Sequence, residues 1–288
     1  MMSLFISVFN PLENYQVNAV GVTEDKYPWI ARVVHSRLSD MPYMCTAVCV
    51  EHRIFITAAR CLYSLKVTYT TVIYQNHHFP VITFVVPSNT TKQAFDDIGF
   101  IVVNDEDFHG EWVTVALFDT TNRTDEDFEW FADLNLSEDA SEHVVLGYAT
   151  KKGIHVIKSA DRNFTLTELE VIVNINICPE ILIFNNLITG FHVPCYHSCS
   201  VAQFKGNDPK CSNYHGVVGG AVFNTKTNKL LGITTWGSYF FKHELPVGFS
   251  VPNSKNFFED YTCARRIKRD KGLLVIDGYY QALCEDFN

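Results

Sequence analysis

The sequence predicts an all-β protein, built either as a sandwich or as a pair of barrels. Short runs rich in β-branched and aromatic residues recur along most of the 288 residues, and Pro, Gly, Asn, Asp or Ser bounds them. Several runs alternate apolar and polar residues with period two, which is typical of antiparallel strands that bury one face. Helical periodicity is scarce. Together these patterns favour layers of strands packed around one apolar core.

The predicted elements follow one another from Trp29 towards the C-terminus. One helix is predicted from Asn253 onward, because Phe257, Tyr261 and Ala264 recur at spacings of four and three. The acidic stretch Thr124–Glu129 is interpreted as a solvent-facing connection between two halves, and the basic residues that follow the helix start as a solvated surface. The predicted strands include WIARVV, TYTTVIY, FPVITFVV, IGFIVV, WVTVALF, HVVLGYA, LEVIVNI, LLGITTW and VGFSV; the basic residues are Arg265, Arg266, Lys268, Arg269 and Lys271.

The composition is that of an ordinary folded protein with an acidic charge. Hydrophobic residues make up 47% of the chain and charged residues 19%. The net charge of −9 argues against nucleic acid or an anionic membrane surface as the partner. No apolar run approaches the roughly 18–20 residues that cross a bilayer, so we expect no membrane partner.

Cysteine usage indicates an oxidising compartment, and we expect an extracellular, secreted protein. The chain has nine cysteines, too many for a typical reduced cytosolic enzyme. The N-terminal MMSLFISVF has neither a basic region nor an obvious small-residue cleavage site, so this prediction does not depend on a leader. Acceptor sequons for N-glycosylation point the same way, at Asn89, Asn122, Asn135 and Asn163.

Three segments arrive in an order that resembles the chymotrypsin-like (trypsin-like) serine proteases. The first, CTAVCVEHRIFITAARC, runs from Cys45 to Cys61 and is similar to the strand that leads into Thr-Ala-Ala-His-Cys in that family. The second, DIGF, begins at Asp97 and is similar to Asp-Ile-Ala-Leu. The third, GVVGG, begins at Gly216 and is followed by LLGITTWG, similar to Gly-Asp-Ser-Gly-Gly before a strand that ends in Ser-Trp-Gly.

The resemblance implies two packed antiparallel six-stranded β-barrels with a short C-terminal helix and an extension. It also implies a disulfide between Cys45 and Cys61, which closes a loop of a size worth about 3 kcal/mol. We therefore expect one protease-like unit. Its predicted parts are a leader or pro-segment at 1–18, a first barrel at 19–128, a second barrel with the helix at 129–262, and the extension at 263–288.

At the positions that match the catalytic residues of the family, this sequence has Arg60 for the base and Val218 for the nucleophile, and retains Asp97. Guanidinium has no lone pair and stays protonated, and valine has no nucleophilic atom. We expect Asp97 to form an ion pair with Arg60. Val217 replaces the aspartate that receives the new N-terminal amine on activation in the family, and YQVNAVGV (Tyr15–Val22) has no basic residue for the activating cut. The sequence thus predicts no enzyme activity.

The leading hypothesis is a secreted, non-catalytic serine protease homologue that binds protein or regulates proteolysis. The expected partner is a protein or peptide, either an active protease or a protease substrate. The candidate binding edge is Thr235, Trp236 and Gly237, which matches the strand that pairs with extended substrates in the family; packing of Trp236 in the barrel wall is the alternative. Two other functions stay open: an endopeptidase with displaced groups such as Ser212 and His215, and a structural extracellular protein without a specific partner.

The remaining cysteines allow a disulfide or a metal interpretation. In an oxidised protein we expect bridges instead of zinc, and we expect no metal and no cofactor. Cys263 and Cys284 pair with each other or with other cysteines. Cys49 is expected to be a buried free thiol, with an interchain link as the alternative. The cluster that could ligate zinc comprises His192, Cys195, His197, Cys199 and Cys211.

Overall fold

The computed structural model of the chain consists mainly of β-strands, which confirms the predicted all-β class. Two assemblies make up the fold: a closed barrel and a larger sheet. One α-helix lies near the C-terminus. The structure describes residues 19–36, 43–63, 65–87, 97–117, 143–149, 164–170, 172–173, 195–197, 218–236, 247–252 and 255–269.

The first assembly is a closed six-stranded barrel in the order β2-β3-β4-β7-β6-β5, with antiparallel pairs throughout. β5 alternates between buried and half-buried residues, as expected for a strand with one face on the core. β4 and β7 are buried on both faces because other parts of the molecule cover their outer side. The strands are β2 Ile30–His35, β3 Tyr43–Glu51, β4 Ile54–Ala58, β5 Thr70–Tyr74, β6 His77–Val85 and β7 Ile98–Val103.

The second assembly is a nine-stranded sheet in the order β1-β10-β9-β13-β14-β15-β12-β11, with β8 parallel to β14. Two of these strands, β1 and β8, come from the range 19–128 that was predicted to form the first barrel. Backbone pairing of β1 with β10 joins the first described residues to the second half of the chain. The strands are β1 Ala19–Gly21, β8 Ala116–Leu117, β9 His143–Ala149, β10 Thr165–Glu170, β11 Ile172–Val173, β12 Cys195–His197, β13 Ala221–Asn224, β14 Lys229–Trp236 and β15 Val247–Ser250.

The predicted helix is confirmed as α1, which runs from Lys255 to Arg269 and so crosses the predicted boundary at 262. Its apolar side packs on β7 of the first barrel. The ring of Tyr261 stacks on that of Phe100 with centroids 5.6 Å apart, and Phe257 lies 5.3 Å from the same ring. In the described part of the chain, no helix is long and apolar enough to span a membrane.

The turn between β3 and β4 holds α1 in place by two charged groups. Glu51 accepts hydrogen bonds from Tyr261 (2.9 Å), Arg265 (2.5 Å) and Lys268. Arg53, with φ of 65°, donates to the carbonyl oxygen of Lys268 near the helix C-terminus, where a cation is favourable. The prediction of a fully solvated basic surface is therefore wrong for Lys268, which is largely buried against Glu51. We call this arrangement the helix clamp.

Candidate functional site

The position of Arg60 is set by a short 3₁₀ turn at the end of a buried strand. All five residues of β4 are buried, and the turn Ala59–Cys61 follows directly. Cys61 closes this turn against β3 through the predicted disulfide with Cys45, which is confirmed. The buried strand β4 holds one end of the turn and the disulfide holds the other, so the Arg60 side chain projects from a segment that is fixed at both ends.

Arg60 and Asp97 form the ion pair that the sequence predicts. The backbone N–H of Arg60 donates to Oδ1 of Asp97 at 2.8 Å, and its Nε–H donates to Oδ2. Asp97 lies just before β7, and its own carbonyl oxygen accepts the N–H of Ala59 at 3.1 Å. The carboxylate is thus held by the main chain of the 3₁₀ turn as well as by the guanidinium.

The two partners of this pair differ sharply in exposure. The Asp97 side chain is 1% exposed, whereas that of Arg60 is 29% exposed. Burial raises the pKa of the Asp97 carboxyl to about 6, while the Arg60 guanidinium and the hydrogen bonds from Arg60 and Ala59 act in the opposite direction. At neutral pH the carboxyl is ionised and neutralises the guanidinium beside it.

Val218 lies at the junction between the two assemblies. Its carbonyl oxygen accepts the N–H of Thr46 in β3 at 3.1 Å, and its half-buried side chain packs on the hydrophobic core. A hydrocarbon therefore faces the core at this position, where the sequence comparison with the protease family places a nucleophile.

Gly219 explains how closely the two assemblies approach. It has φ of +79°, and a Cβ atom built on it would overlap the Thr46 carbonyl oxygen and the Thr57 hydroxyl. Thr57 in turn donates to Thr46 at 2.7 Å. Thr57 lies in β4, three residues before Arg60 in the 3₁₀ turn, and it pairs with Gly99, two residues after Asp97. The contacts of Val218 and Gly219 with Thr46 and Thr57 therefore bring Val218 towards the segments that carry Arg60 and Asp97.

The predicted binding edge is only partly described. Thr235 is fully buried, and its hydroxyl has no hydrogen-bond partner among the described residues. The Trp236 backbone pairs with Gly248 of β15 past a register shift. On the other side of β14, Thr234 exchanges backbone hydrogen bonds with Gly219 and Gly220. Gly237 lies outside the described residues.

Tyr63 belongs to this neighbourhood, and sequence reasoning missed it. In the described part of the chain it is the one exposed large hydrophobic residue, at 41%. Burial of its remaining surface raises the pKa of the Tyr63 phenol, Asp97 and Asp260 raise it further, and Arg60 lowers it. Tyr63 therefore lies within electrostatic reach of both members of the ion pair. The sequence signal that could have identified Tyr63 is its position shortly after the FITAARC motif.

Several predicted residues lie outside the described part of the chain. Among them are the displaced catalytic candidates Ser212 and His215. Cys49 is a buried free thiol, as predicted, and burial raises its pKa. Cys263 is disulfide-bonded. In the described residues no group of His, Cys, Asp or Glu could hold a metal ion. For the zinc candidates Cys195 and His197, the structure describes only the backbone, which belongs to β12. The other predicted residues outside the described part are Asn89, Asn122, Asn135, Asn163, His192, Cys199, Cys211 and Cys284.

Comparisons with solved structures define the class of fold. The chain is similar to the VesB protease of Vibrio cholerae (16% identity, TM-score 0.56, covering 85% of this chain and 66% of that one). It is similar to the scabies mite inactivated protease paralogue S-D1 (15% identity, TM-score 0.58, covering 86% of this chain and 96% of that one). It is also similar to mouse neuropsin (19% identity, TM-score 0.51, covering 81% of this chain and 93% of that one). It spans 46% of the V. cholerae protease VesC. The fold is that of the trypsin-like serine proteases.

The comparison by sequence gives no closer assignment. No family model matches the chain, and no curated protein matches it. At 14–19% identity, the solved structures establish the fold and leave the chemistry to the residues of this chain.

Proposed function

We propose that this protein is a non-catalytic member of the trypsin-like fold that acts by binding a protein or peptide and regulating proteolysis outside the cell. The observation that carries the proposal is the Arg60–Asp97 ion pair. In a catalytic triad the carboxylate orients an imidazole, which removes a proton from a hydroxyl. Here the carboxylate is engaged by a guanidinium, which has no lone pair with which to accept a proton.

The position of Val218 supports the same proposal independently. A covalent mechanism needs a hydroxyl, thiol or amine that can attack a carbonyl carbon. The Val218 side chain offers none of these and packs on the core. Loss of the base and loss of the nucleophile each remove the chemistry alone, since the members of a triad act as a unit.

The similarity to a protein described as an inactivated protease paralogue supports the idea that this fold serves a role without catalysis. Extracellular location is supported by the Cys45–Cys61 disulfide and by the secreted protease VesC among the similar structures. The partner is proposed to bind across the junction of the two assemblies. There an extended segment of the partner would pair with the Trp236 end of β14 as an added strand.

The first test is catalytic turnover. Purified protein should show no hydrolysis of peptide esters above a buffer blank and no labelling by a serine-reactive phosphonate, with active trypsin assayed in parallel. A rate that co-purifies with the protein through two different columns and is abolished by the phosphonate would contradict the proposal. The double variant Ser212→Ala with His215→Ala then shows whether displaced groups are responsible.

The second test is binding. Proteins that the immobilised chain captures from the fluid that bathes its source tissue are purified and titrated by calorimetry. A saturable complex of fixed stoichiometry, weakened by substitution of Trp236 and unchanged by Arg266→Gln on α1, supports the proposal. A chain that binds nothing saturably would instead be a structural component without a specific partner.

A further inference from the structure

Among the described residues, the guanidinium of Arg60 uses only part of its hydrogen-bonding capacity. It carries five N–H groups in a fixed planar fork. One of them, at Nε, donates to Asp97. The two terminal nitrogens donate to no residue in the described chain, and 29% of the side chain is exposed.

The same contacts hold the guanidinium in a fixed orientation. Asp97 is buried and receives both the Nε–H and the backbone N–H of Arg60, so the side chain is tied at its base and at its inner edge. Cys61, the next residue, is fixed by the disulfide to Cys45. Binding to a group that is already oriented costs less conformational entropy than binding to a free arginine.

We infer that the outer edge of Arg60 is a binding site for a carboxylate of the partner, either the C-terminal carboxylate of a peptide or an Asp or Glu side chain. Two parallel N–H groups on the outer edge of a guanidinium match the two oxygens of a carboxylate. This inference rests on the proposed function, because it assigns a ligand group to the base position of a site that does not catalyse.

Tyr63 completes the site. It lies three residues after Arg60, within electrostatic reach of both members of the ion pair, and at 41% exposure it offers an apolar surface for the residue that carries the carboxylate. Asp97 neutralises Arg60, and Asp260 adds a further negative charge within electrostatic reach of Tyr63, so the local field attracts anions weakly. Recognition therefore depends on paired hydrogen bonds, and the site should discriminate against ligands that have the negative charge without the planar two-oxygen geometry.

The test uses short peptides and ¹⁵N-labelled protein at pH 7.5. The probes are N-acetyl-Ala-Ala-Ala with a free C-terminus, N-acetyl-Ala-Asp-Ala amide, and the neutral N-acetyl-Ala-Asn-Ala amide. The readout is the dissociation constant from shifts of the backbone amide resonances of the turn Ala59–Cys61, which every variant retains, with the Arg60 Nε–H resonance followed in addition in the wild-type chain. At least one acidic peptide should bind about tenfold more tightly than the neutral amide, as expected for hydrogen bonds to a charged group. The two acidic peptides separate a terminal from a side-chain carboxylate.

Variants show whether Arg60 is responsible. The pair Arg60→Gln with Asp97→Asn replaces the ion pair by two amides that can still bond, which avoids a buried unpaired carboxylate. This variant should lose the preference for acidic peptides, while Arg60→Lys, which keeps the charge without the fork, should lose most of it. Arg266→Gln removes the same charge from an exposed position on α1, and the dissociation constants of the peptides should not change. Near-ultraviolet circular dichroism confirms that each variant is folded.

The outcomes separate the two proposals. Equal binding of acidic and neutral peptides, absence of binding, or a preference that survives in the Arg60→Gln/Asp97→Asn variant would each overturn the carboxylate site and leave the non-catalytic function intact. Authentic ester turnover by the purified chain would overturn the proposed function itself.

Discussion

The closed first barrel and the nine-stranded second sheet differ in how their strands are joined. In the first barrel each of six strands pairs on both sides, and the disulfide and α1 hold it from outside. The described second sheet instead ends at β1 and β11 and contains several strands of two or three residues. Arg60 and Asp97 both belong to the first barrel, so their ion pair is built within one assembly.

Val218 and the Trp236 edge belong to the second assembly, and Val218 and Gly219 contact the first barrel at Thr46 and Thr57. The candidate site thus combines an ion pair within the first barrel with a segment that close backbone contacts place against that barrel. Substitutions at this junction are expected to have the largest effect, followed by those in the barrel, at the ion pair and at the helix clamp.

The largest effect is expected from Gly219→Ala at the junction. A methyl group would overlap Thr46 and Thr57, and φ of +79° strains any L-residue. Strain and overpacking together should reduce the free energy of unfolding by about 4 kcal/mol, measured by urea denaturation. Gly21→Ala is the control, because nothing lies within 4 Å of its Cβ position. Equal effects at the two glycines would mean that the assemblies do not meet at Gly219.

Removal of the disulfide should be the next most costly change. Replacement of both Cys45 and Cys61 by Ala opens a 16-residue separation and should lower the free energy of unfolding by about 3 kcal/mol. Cys49→Ala leaves the disulfide and removes only one small buried group, so it should cost less. If Cys49→Ala proved the more damaging, the barrel would not depend on the bridge that closes the Arg60 turn.

Arg60→Gln and Asp97→Asn should have unequal effects. Loss of the guanidinium leaves a buried carboxylate and should cost about 2 kcal/mol at pH 7.5, whereas Asp97→Asn leaves a half-exposed arginine and should cost about 1 kcal/mol. Urea denaturation at pH 7.5 and at pH 5.0 measures both.

The pH dependence of Arg60→Gln has a definite sign. The folded-state pKa of Asp97 is about 6, above its ordinary value of 3.8, and removal of Arg60 raises it further. A raised carboxyl pKa contributes stability at low pH that is lost as the pH rises through the folded-state value. The cost of Arg60→Gln should therefore shrink from pH 7.5 to pH 5.0. A cost that grows on acidification would show that burial does not control this carboxyl.

The smallest effect is expected at the helix clamp. Burial acts to raise the pKa of Glu51, but hydrogen bonds from Lys268, Arg265 and Tyr261 outweigh it and lower the pKa from 4.5 to about 2. Glu51→Gln should cost about 1 kcal/mol at neutral pH, because the group is partly exposed. The contribution of Glu51 is present above pH 4.5 and lost as the pH falls towards 2.

Stability measured between pH 6 and pH 2 tests this. The difference between the wild-type chain and Glu51→Gln should close towards pH 2. Glu106→Gln, at an exposed loop position, should run parallel to the wild type throughout. A Glu51→Gln curve parallel to the wild type down to pH 2 would mean that the clamp does not hold the helix through this carboxylate.

Patterns within short stretches of sequence predicted the structural features that are determined by residues close together in the chain. Runs of β-branched and aromatic residues located most of the strands, although of the predicted strand WVTVALF only Ala116–Leu117 is a strand. Spacings of four and three located α1, and the resemblance around FITAARC implied the Cys45–Cys61 bridge. The ion pair followed from the same resemblance, because it supplied the spatial neighbour that Arg60 lacks in sequence.

What the sequence did not predict depends on contacts between distant residues. The pairing of β1 with β10 joins residues about 150 positions apart, and no periodicity within either strand encodes its partner. Glu51 and Lys268 are 217 positions apart, so the basic residues of α1 looked fully solvated. Tyr63 carried no signal besides its place after the motif, since an exposed tyrosine is common on any surface.

The hydrogen bond from the Arg60 backbone N–H to Asp97 bears on how many substitutions separate this chain from one that could carry a catalytic base and nucleophile. The main chain aims that carboxyl, whatever side chain residue 60 carries. An imidazole introduced there by mutation would meet an acceptor already pointed at it. On the proposed function, a base at residue 60 thus requires one side-chain change, whereas a hydroxyl at residue 218 must also take the place of a methyl group that packs on the core.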